Sequence, residues 1–355
     1  MKKSLIALAA VAATGAAFAQ SSVQIDGVMD AGFQSIDYKG NKVNGFNGNG
    51  STTSQINFRG VSDLGGGLKA DFRVESDWNT VSNSANTGAK KSDGTLANGA
   101  SFGNGEIRTG LAGGFGKVQF GAINNNTLIA NLTGQPFGTA IGSGHGAVIR
   151  SNSAGSAVRS DNSFQYISPN FSGFDVAYLQ ANKQSKANSA NFSSSLGAYD
   201  QAGVKEASVS YTNGPLAARF TNLKEDNSAL AATNSTVNTL GANYALGAAK
   251  VFLWTQTNKT DDGTTRNIAA TTVSATYTMG ATVLMAQVGS AKNKILNKSS
   301  NIASVGADYN LSKTTALYGR YESIKDEGGV IAAATTIDGT GTTRTRLGLG
   351  IRTAF

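Results

Sequence analysis

Hydrophobic and polar residues alternate over long stretches of the chain. Ala303, Val305, Ala307, Tyr309 and Leu311 are apolar, and Ser304, Gly306, Asp308 and Asn310 between them are polar or small. Ala207, Val209 and Tyr211 alternate with Ser208, Ser210 and Thr212; Val273, Ala275, Tyr277 and Met279 alternate with Ser274, Thr276 and Thr278. Near the end, Leu347, Leu349, Ile351 and Phe355 share one face, and Gly348, Gly350 and Arg352 the other. A period of two throws successive side chains to opposite sides of an extended backbone, so these segments are strands with one apolar and one polar face. Val251-Phe252-Leu253-Trp254 breaks the pattern, being apolar on both faces.

Short clusters rich in Gly, Pro, Asn and Asp punctuate the strands. They fall at Asp63 to Gly67, Gly113 to Gly116, Ser168 to Gly173, Thr212 to Pro215, Leu246-Gly247, Met279-Gly280 and Leu311-Ser312. Asn213, Leu246, Met279 and Ser312 recur every 33 residues; helical repeats have similar periods, but the alternating flanks are not helical. Seven turns predict fourteen strands, and Val23 to Ser35 before the first and Arg344 to Phe355 after the last make sixteen. The other connections are long and polar: Lys39 to Ser51, Thr80 to Ser101, Asn124 to Val158, Lys183 to Gly203, Lys224 to Thr236, Thr257 to Arg266, Lys292 to Ser299 and Lys325 to Thr343. An even strand number, short turns at one end and long loops at the other describe an outer-membrane barrel. Closure also removes the unpaired edges that an open sheet of this size exposes. The predicted fold is therefore all-β, a 16-stranded antiparallel transmembrane β-barrel. At this strand number side chains no longer fill the interior, and water occupies it.

Composition narrows the chemistry. The 355 residues include no Cys and one His, which excludes disulfides, thiolate metal sites and multi-His metal centres and leaves no material for a Ser-His-Asp triad beyond His145. Charged residues make up 15% of the chain, against about 25% for ordinary soluble domains. Met1-Lys2-Lys3, an apolar run to Ala19 and Ala17-Phe18-Ala19 before Gln20 read as a signal peptide over residues 1–19. The apolar run is shorter than the roughly 20 residues a spanning helix needs. Residues 20–355 then form one barrel domain with a formal charge of +6.

The stretch Ser22-Val23-Gln24-Ile25-Asp26-Gly27-Val28-Met29-Asp30-Ala31-Gly32 resembles the first strand of the general porins of beta-proteobacteria. Asp63 to Glu75, Arg159 to Pro169, Ser172-Gly173-Phe174 and the closing Gly350-Ile351-Arg352-Thr353-Ala354-Phe355 resemble that family as well. The resemblance implies a homotrimer of 16-stranded barrels in the cell outer membrane, each a water-filled path for small ions and hydrophilic solutes. It also implies a third long loop folded into the lumen and a terminal Phe that serves as an assembly signal. Three positions depart from the family: Gln55 stands where an Arg is usual, Gly105 where another is usual with Arg108 three residues on, and Asp26 where a Tyr is usual. The charges of the constriction must therefore be read from this chain.

Parity assigns them. With Ala70, Phe72 and Val74 toward lipid, Asp71, Arg73 and Glu75 face the lumen; with Ile56 and Phe58 toward lipid, Gln55, Asn57 and Arg59 do. With Ile107, Thr109 and Leu111 toward lipid, Glu106 and Arg108 face inward, and Arg320, Glu322 and Arg352 share that side on later strands. A charge on the lipid side near the midplane costs about 2–4 kcal/mol. Arg59, Arg73 and Arg108 form either a basic ladder or a wall in which each is neutralised by Asp71, Glu75 or Glu106; parity fixes the face but not the depth. The third long loop, 124–158, contains Arg150 and His145 and no Asp or Glu. A basic wall facing an uncharged loop favours anions mildly, because fixed charge acts over about 8–10 Å at physiological salt. Pro136-Phe137-Gly138 marks a bend in this loop, and His145 is read as a solvated loop residue, with a gate titrating near neutral pH as the other reading.

Lys90, Lys91, Lys183, Lys186, Lys259, Lys292, Lys294 and Lys298 fall in the outer connections. They are either solvated charge or contacts for the phosphates of lipopolysaccharide. Nucleic acid is not an expected partner, since the basic residues are scattered and no recognition helix is present, and no cofactor or metal is expected. The competing readings are a non-channel surface barrel and an exported soluble sandwich enzyme; the second requires converging acid and base groups, which the sequence lacks.

Overall fold

Alternation becomes a ring of antiparallel strands. The computed structural model describes residues 21–38, 41–81, 84–85, 102–144, 158–183, 201–228, 232–326 and 343–355. The expected signal segment 1–19, Lys90, Lys91, His145, Arg150 and Lys186 lie outside the described residues. The strands are β1 (Ser22–Tyr38), β2 (Asn41–Asn47), β3 (Gln55–Gly65), β4 (Leu68–Asn79), β5 (Ser84–Ala85), β6 (Ile107–Gly113), β7 (Gly116–Asn124), β8 (Arg159–Ile167) and β9 (Phe174–Ala181). They continue as β10 (Gly203–Asn213), β11 (Leu216–Asp226), β12 (Ser235–Leu246), β13 (Ala249–Thr260), β14 (Asn267–Met279), β15 (Thr282–Asn293), β16 (Lys298–Asn310), β17 (Thr315–Asp326) and β18 (Arg344–Ala354). All seven predicted turns separate the strands they were expected to separate.

Sixteen of these strands form the barrel. Each pairs with its sequence neighbour in the ring, and β1 closes it by pairing with β18 on one edge and β3 on the other. The last residue is tied in as well, since the backbone amides of Phe355 and Gly27 donate to each other's carbonyls at 3.1 Å. The remaining two strands correct the sequence reading. The segments 39–51 and 80–101 are not loop throughout. Strand β2 pairs with Gly32 to Tyr38 of β1, and β5 pairs with Trp78 and Asn79 of β4. Phe46 of β2 sets its ring edge-on against Phe33 of β1, 6.2 Å between centroids, a cross-strand pair that favours extending the hairpin.

Large apolar side chains lie uncovered on the outside, including Phe72, Phe120, Val209, Phe220, Leu349 and Val273, the last 54% exposed. A contiguous face of this kind fits lipid and not water. Phe174, Tyr211, Tyr244, Tyr277, Tyr309 and Phe355 all stand exposed or half-buried near the short turns, the place of an interfacial aromatic girdle. The inner face is less uniformly polar than alternation implies. Trp254, Ile268, Ala270, Ala291, Ile302 and Ile324 form one buried cluster, and Ile123, Leu179, Ala181, Val204, Leu223 and Val237 a second. The third long loop accounts for the first cluster: Gly134 packs against Trp254 and Gly144 against Ile302. This is why the Phe252–Trp254 segment is apolar on both sides.

Candidate functional site

Strand register places three arginines in one line across the wall. Arg59 of β3 lies opposite Arg73 of β4, and Arg73 lies opposite Arg108 of β6. Like charges in such a line repel, and carboxylates are set among them. Arg59 donates to Asp26 at 3.0 Å, and Asn57 donates to the same carboxylate oxygen at 3.0 Å. Arg73 donates to Glu106 at 2.7 Å, pairs with Glu75, and donates to the Asn57 side-chain oxygen at 2.8 and 3.1 Å. Arg108 pairs with Asp71 and lies 3.6 Å from Glu106. Lys117 of β7 donates to Asp71 at 2.9 Å, and Arg159 of β8 to Glu75 at 3.3 Å. Five cations thus meet four carboxylates in direct contact, and a fifth acid, Asp77 of β4, interacts electrostatically with Arg73 and Arg159. The ladder and the paired wall are one structure. The family departures belong to it too: Asp26 holds Arg59, and at Gly105 a Cβ would overlap the Glu75 side chain.

The third long loop is fastened to the opposite side. It begins with a short helix, Asn126–Thr133, whose N-cap Asn125 makes no side-chain cap bond. A wall carboxylate caps it instead: Glu206 of β10 accepts from the backbone amides of Asn126 and Thr127 and from the Thr127 hydroxyl, each at 2.6 Å. An anion at this end is favoured by the unsatisfied amides and by the helix dipole. Arg219 of β11 donates to the Asn126 side-chain oxygen at 3.0 Å, and Asn243 of β12 donates to the Thr133 carbonyl at 2.8 Å. At Gly241 of β12 a Cβ would overlap the Ala130 carbonyl oxygen, so the helix rests directly on strand backbone.

Beyond Thr133 the loop bends at Gly138, which adopts a φ of +60°, and reaches a second carboxylate. Glu322 of β17 accepts from the amides of Gly142 at 3.0 Å and Gly144 at 3.1 Å. It also accepts from Arg344 at 3.2 Å and from Arg346 at 2.8 and 2.9 Å. Gln287 donates to the Gly142 carbonyl at 3.1 Å, and the Ile141 amide donates to the Gly50 carbonyl at 3.3 Å. The described part of the loop therefore lines the inside of β10 to β18 and leaves the arginine wall of β3 to β7 uncovered. A cavity of about 260 Å³ lies between them, lined by Arg73, Arg108 and Lys117 of the wall, by Arg219, and by Ile129 of the helix.

The expected site residues separate into three groups. Arg59, Arg73, Arg108, Asp71, Glu75 and Glu106 form the wall cluster. Arg352 lies apart on β18, 3.9 Å from Asp308. Arg320 faces inward but is sealed, its side chain 4% exposed, between the rings of Phe137 and Tyr318, and it donates to Asp308 at 2.6 Å. The expectation that it lines open water is corrected: it anchors the loop bend. Sequence reasoning did not single out Glu206, Lys117, Arg159 or Arg219. Parity alone marks Glu206 as inward, but its role exists only once the loop meets it.

A family model described as Gram-negative porin matches residues 5–329. Outer membrane porin protein 32 of Delftia acidovorans is 32% identical over 379 residues, spanning all of both chains. An outer membrane porin protein of Bordetella pertussis is 31% identical over 61% of this chain and 57% of its own. Among solved structures, an anion-selective porin from Comamonas acidovorans superposes with a TM-score of 0.75 at 26% identity, covering 95% of this chain and all of that one. An outer membrane protein of Vibrio cholerae, solved in a trimer form, shares the fold at a TM-score of 0.67 and 15% identity, over 94% of this chain and 99% of that one.

Proposed function

The chain belongs to the Gram-negative porin family, and on that premise we propose that its lumen passes small hydrophilic solutes and ions by diffusion with a mild preference for anions. It is an outer-membrane channel built as a closed barrel. The anion preference rests on one observation: five basic side chains converge on the wall of β3 to β8, while the sequence of the third long loop, residues 124–158, contributes no carboxylate. The acids that hold this loop stand behind it, and their charge is taken up by loop amides and by Arg344 and Arg346. A field of this size reaches about 8 Å at physiological salt, so the preference weakens as ionic strength rises.

On this reading Arg59, Arg73 and Arg108 set the selectivity, with Asp71, Glu75 and Glu106 tempering it and Arg352 and Arg150 secondary. Residues 1–19 act as the export signal. The working state is a homotrimer in contact with outer-membrane lipid and lipopolysaccharide. No covalent chemistry, cofactor or metal enters, and nucleic acid is not a partner. The test is the reversal potential of single channels in planar bilayers under a salt gradient. A potential on the anion side, reduced when Arg59, Arg73 and Arg108 are all changed to Gln, is the expected result. A potential on the cation side removes the proposed preference.

A further inference from the structure

The helix of the third long loop carries its polarity inside out. A helix packed on a wall ordinarily buries its apolar stripe and turns its polar residues to water. In Asn126–Thr133 the polar side chains of Asn126, Thr127 and Asn131 are buried, together with Leu128 and Ala130, while Ile129 is half-buried and Leu132 is 42% exposed. The buried polar groups have partners: Arg219 donates to Asn126 at 3.0 Å, the Thr127 and Thr221 hydroxyls meet at 3.1 Å, and Gln135 donates to the Asn131 side-chain oxygen at 2.8 Å. Ile129 and Leu132 are three residues apart, so they stand side by side on the helix surface, turned from the wall toward the lumen. Seating the helix does not require this pair, since its contacts to β10, β11 and β12 run through Asn126, Thr127, Ala130 and Thr133.

Ile129 meets the cavity of about 260 Å³, and Ile167 of β8 adds a second aliphatic surface to it. Since a water occupies about 30 Å³ of liquid, this volume admits a small organic acid with several waters. Arg73, Arg108, Lys117 and Arg219 bring positive charge to the same lining, and its one acid, Glu106, is engaged by Arg73 at 2.7 Å. Two of these cations are loosely held. Lys117 shares Asp71 with Arg108, and among the described residues the one carboxylate within 4 Å of Arg219 is Asp175, at 3.9 Å. Sites for small molecules combine apolar walls with a few placed charges. An inorganic anion uses only the charges here, and a hydroxylated acid sets its hydroxyl against the aliphatic surface.

We propose that this cavity is a subsite for monocarboxylates with a short aliphatic chain, the carboxylate on Lys117 and Arg219 and the chain on Ile129, Leu132 and Ile167. The subsite rests on the reading of the lumen as an anion path, and it adds a discrimination that charge alone does not make, between anions equal in charge and size.

The test compares butyrate with lactate, which match in charge and in number of heavy atoms and differ by a hydroxyl in place of a carbon. Single channels of the full chain in planar bilayers, carrying chloride, are titrated with each, and the half-blocking concentrations are compared. Wild type is expected to bind butyrate about fourfold more tightly, the worth of one buried methylene. Ile129→Gln with Leu132→Gln, which keeps good helix formers in the helix, brings the two concentrations together, while the reversal potential in a salt gradient stays on the anion side. Heat-modifiable mobility on a gel establishes that the variant is folded. The nearly volume-conserving pair Ile129→Leu with Leu132→Met keeps the wild-type ratio. Equal block by the two acids in wild type overturns the proposal, and so does a ratio that survives in the Gln pair or is lost in the Leu and Met pair. Equal block with the reversal potential on the anion side removes the subsite alone, whereas a potential on the cation side removes the anion reading on which it rests.

Discussion

Glu206 on the wall and Thr127 in the third long loop meet twice, through the Thr127 amide and through its hydroxyl, each 2.6 Å from the same carboxylate oxygen. The loop contributes no acid of its own, so the cap for its helix comes from the wall. Replacing Glu206 with Gln keeps the shape but substitutes an amide donor for one of the two accepting oxygens. A buried donor left unsatisfied costs about 1–3 kcal/mol, and the cost falls on the loop, since β10 keeps its own ladder. Glu206→Gln is expected to raise single-channel conductance and its noise while the barrel's heat-modifiable mobility is retained. Wild-type conductance with quiet open levels would show that the helix is held by packing alone.

The arginine line predicts a separation of stability from selectivity. Arg59 is 45% exposed with Asp26 as its partner, whereas Arg73 is 16% exposed and holds both Glu75 and Glu106. Either substitution by Gln removes one positive charge, so both shift the reversal potential toward the cation side. Arg59→Gln loses less than about 1 kcal/mol, as for exposed pairs. Arg73→Gln leaves two buried carboxylates short of a partner and loses about 3–5 kcal/mol. Urea unfolding of the two variants in the same lipid, set beside their reversal potentials, checks the difference. Equal midpoints would mean that Arg108 and Arg159 take over the carboxylates Arg73 releases.

The barrel was legible in the sequence because alternation and turn chemistry are local. The Asn213-Gly214 and Gly66-Gly67 turns fall where those residues stand, with Gly214 at φ +54° and Gly67 at φ +81°. Parity likewise placed Arg59, Arg73 and Arg108 on one face. Their register was not legible, because the facing of Arg59 and Arg73 depends on where the β3–β4 turn ends the ladder. The burial of Arg320 was hidden for a different reason: Phe137, which covers it, is 183 residues away in sequence. Alternation also mistook the inner face for uniformly polar, since Trp254 and Ile302 are apolar in order to receive the loop.

Gly241 offers a test of how closely the loop rests on the wall. It lies in the extended backbone of β12, so Ala is conformationally acceptable there, but a Cβ would overlap the Ala130 carbonyl oxygen of the loop helix. The strand cannot yield without breaking its ladders to β11 and β13, so the helix must move off the wall. Overpacking of this kind costs about 1–3 kcal/mol. Gly241→Ala is expected to change single-channel conductance more than the urea midpoint. An unchanged conductance would place the helix farther from β12 than the structure does.

The first outer loop depends on one buried carboxylate, and its loss should be graded by how many donors remain. Asp30 accepts from the amides of Ser51 at 2.8 Å, Thr52 at 2.9 Å and Gly50 at 3.3 Å, and from the Tyr318 hydroxyl at 2.7 Å. Tyr318→Phe removes one donor of four and keeps the ring that stacks on Arg320, so the expected loss is about 1.5–3 kcal/mol, the range for a hydrogen bond to a charged group. Asp30→Ala strands three amides and the hydroxyl together. It also frees the Gly50 carbonyl from its fixed position, where it accepts the Ile141 amide of the third loop. Disturbance should therefore pass from the first loop to the third: Asp30→Ala raises conductance as Glu206→Gln does, and Tyr318→Phe does not. Measured on single channels, equal conductance in the two variants would show that the loops are held independently.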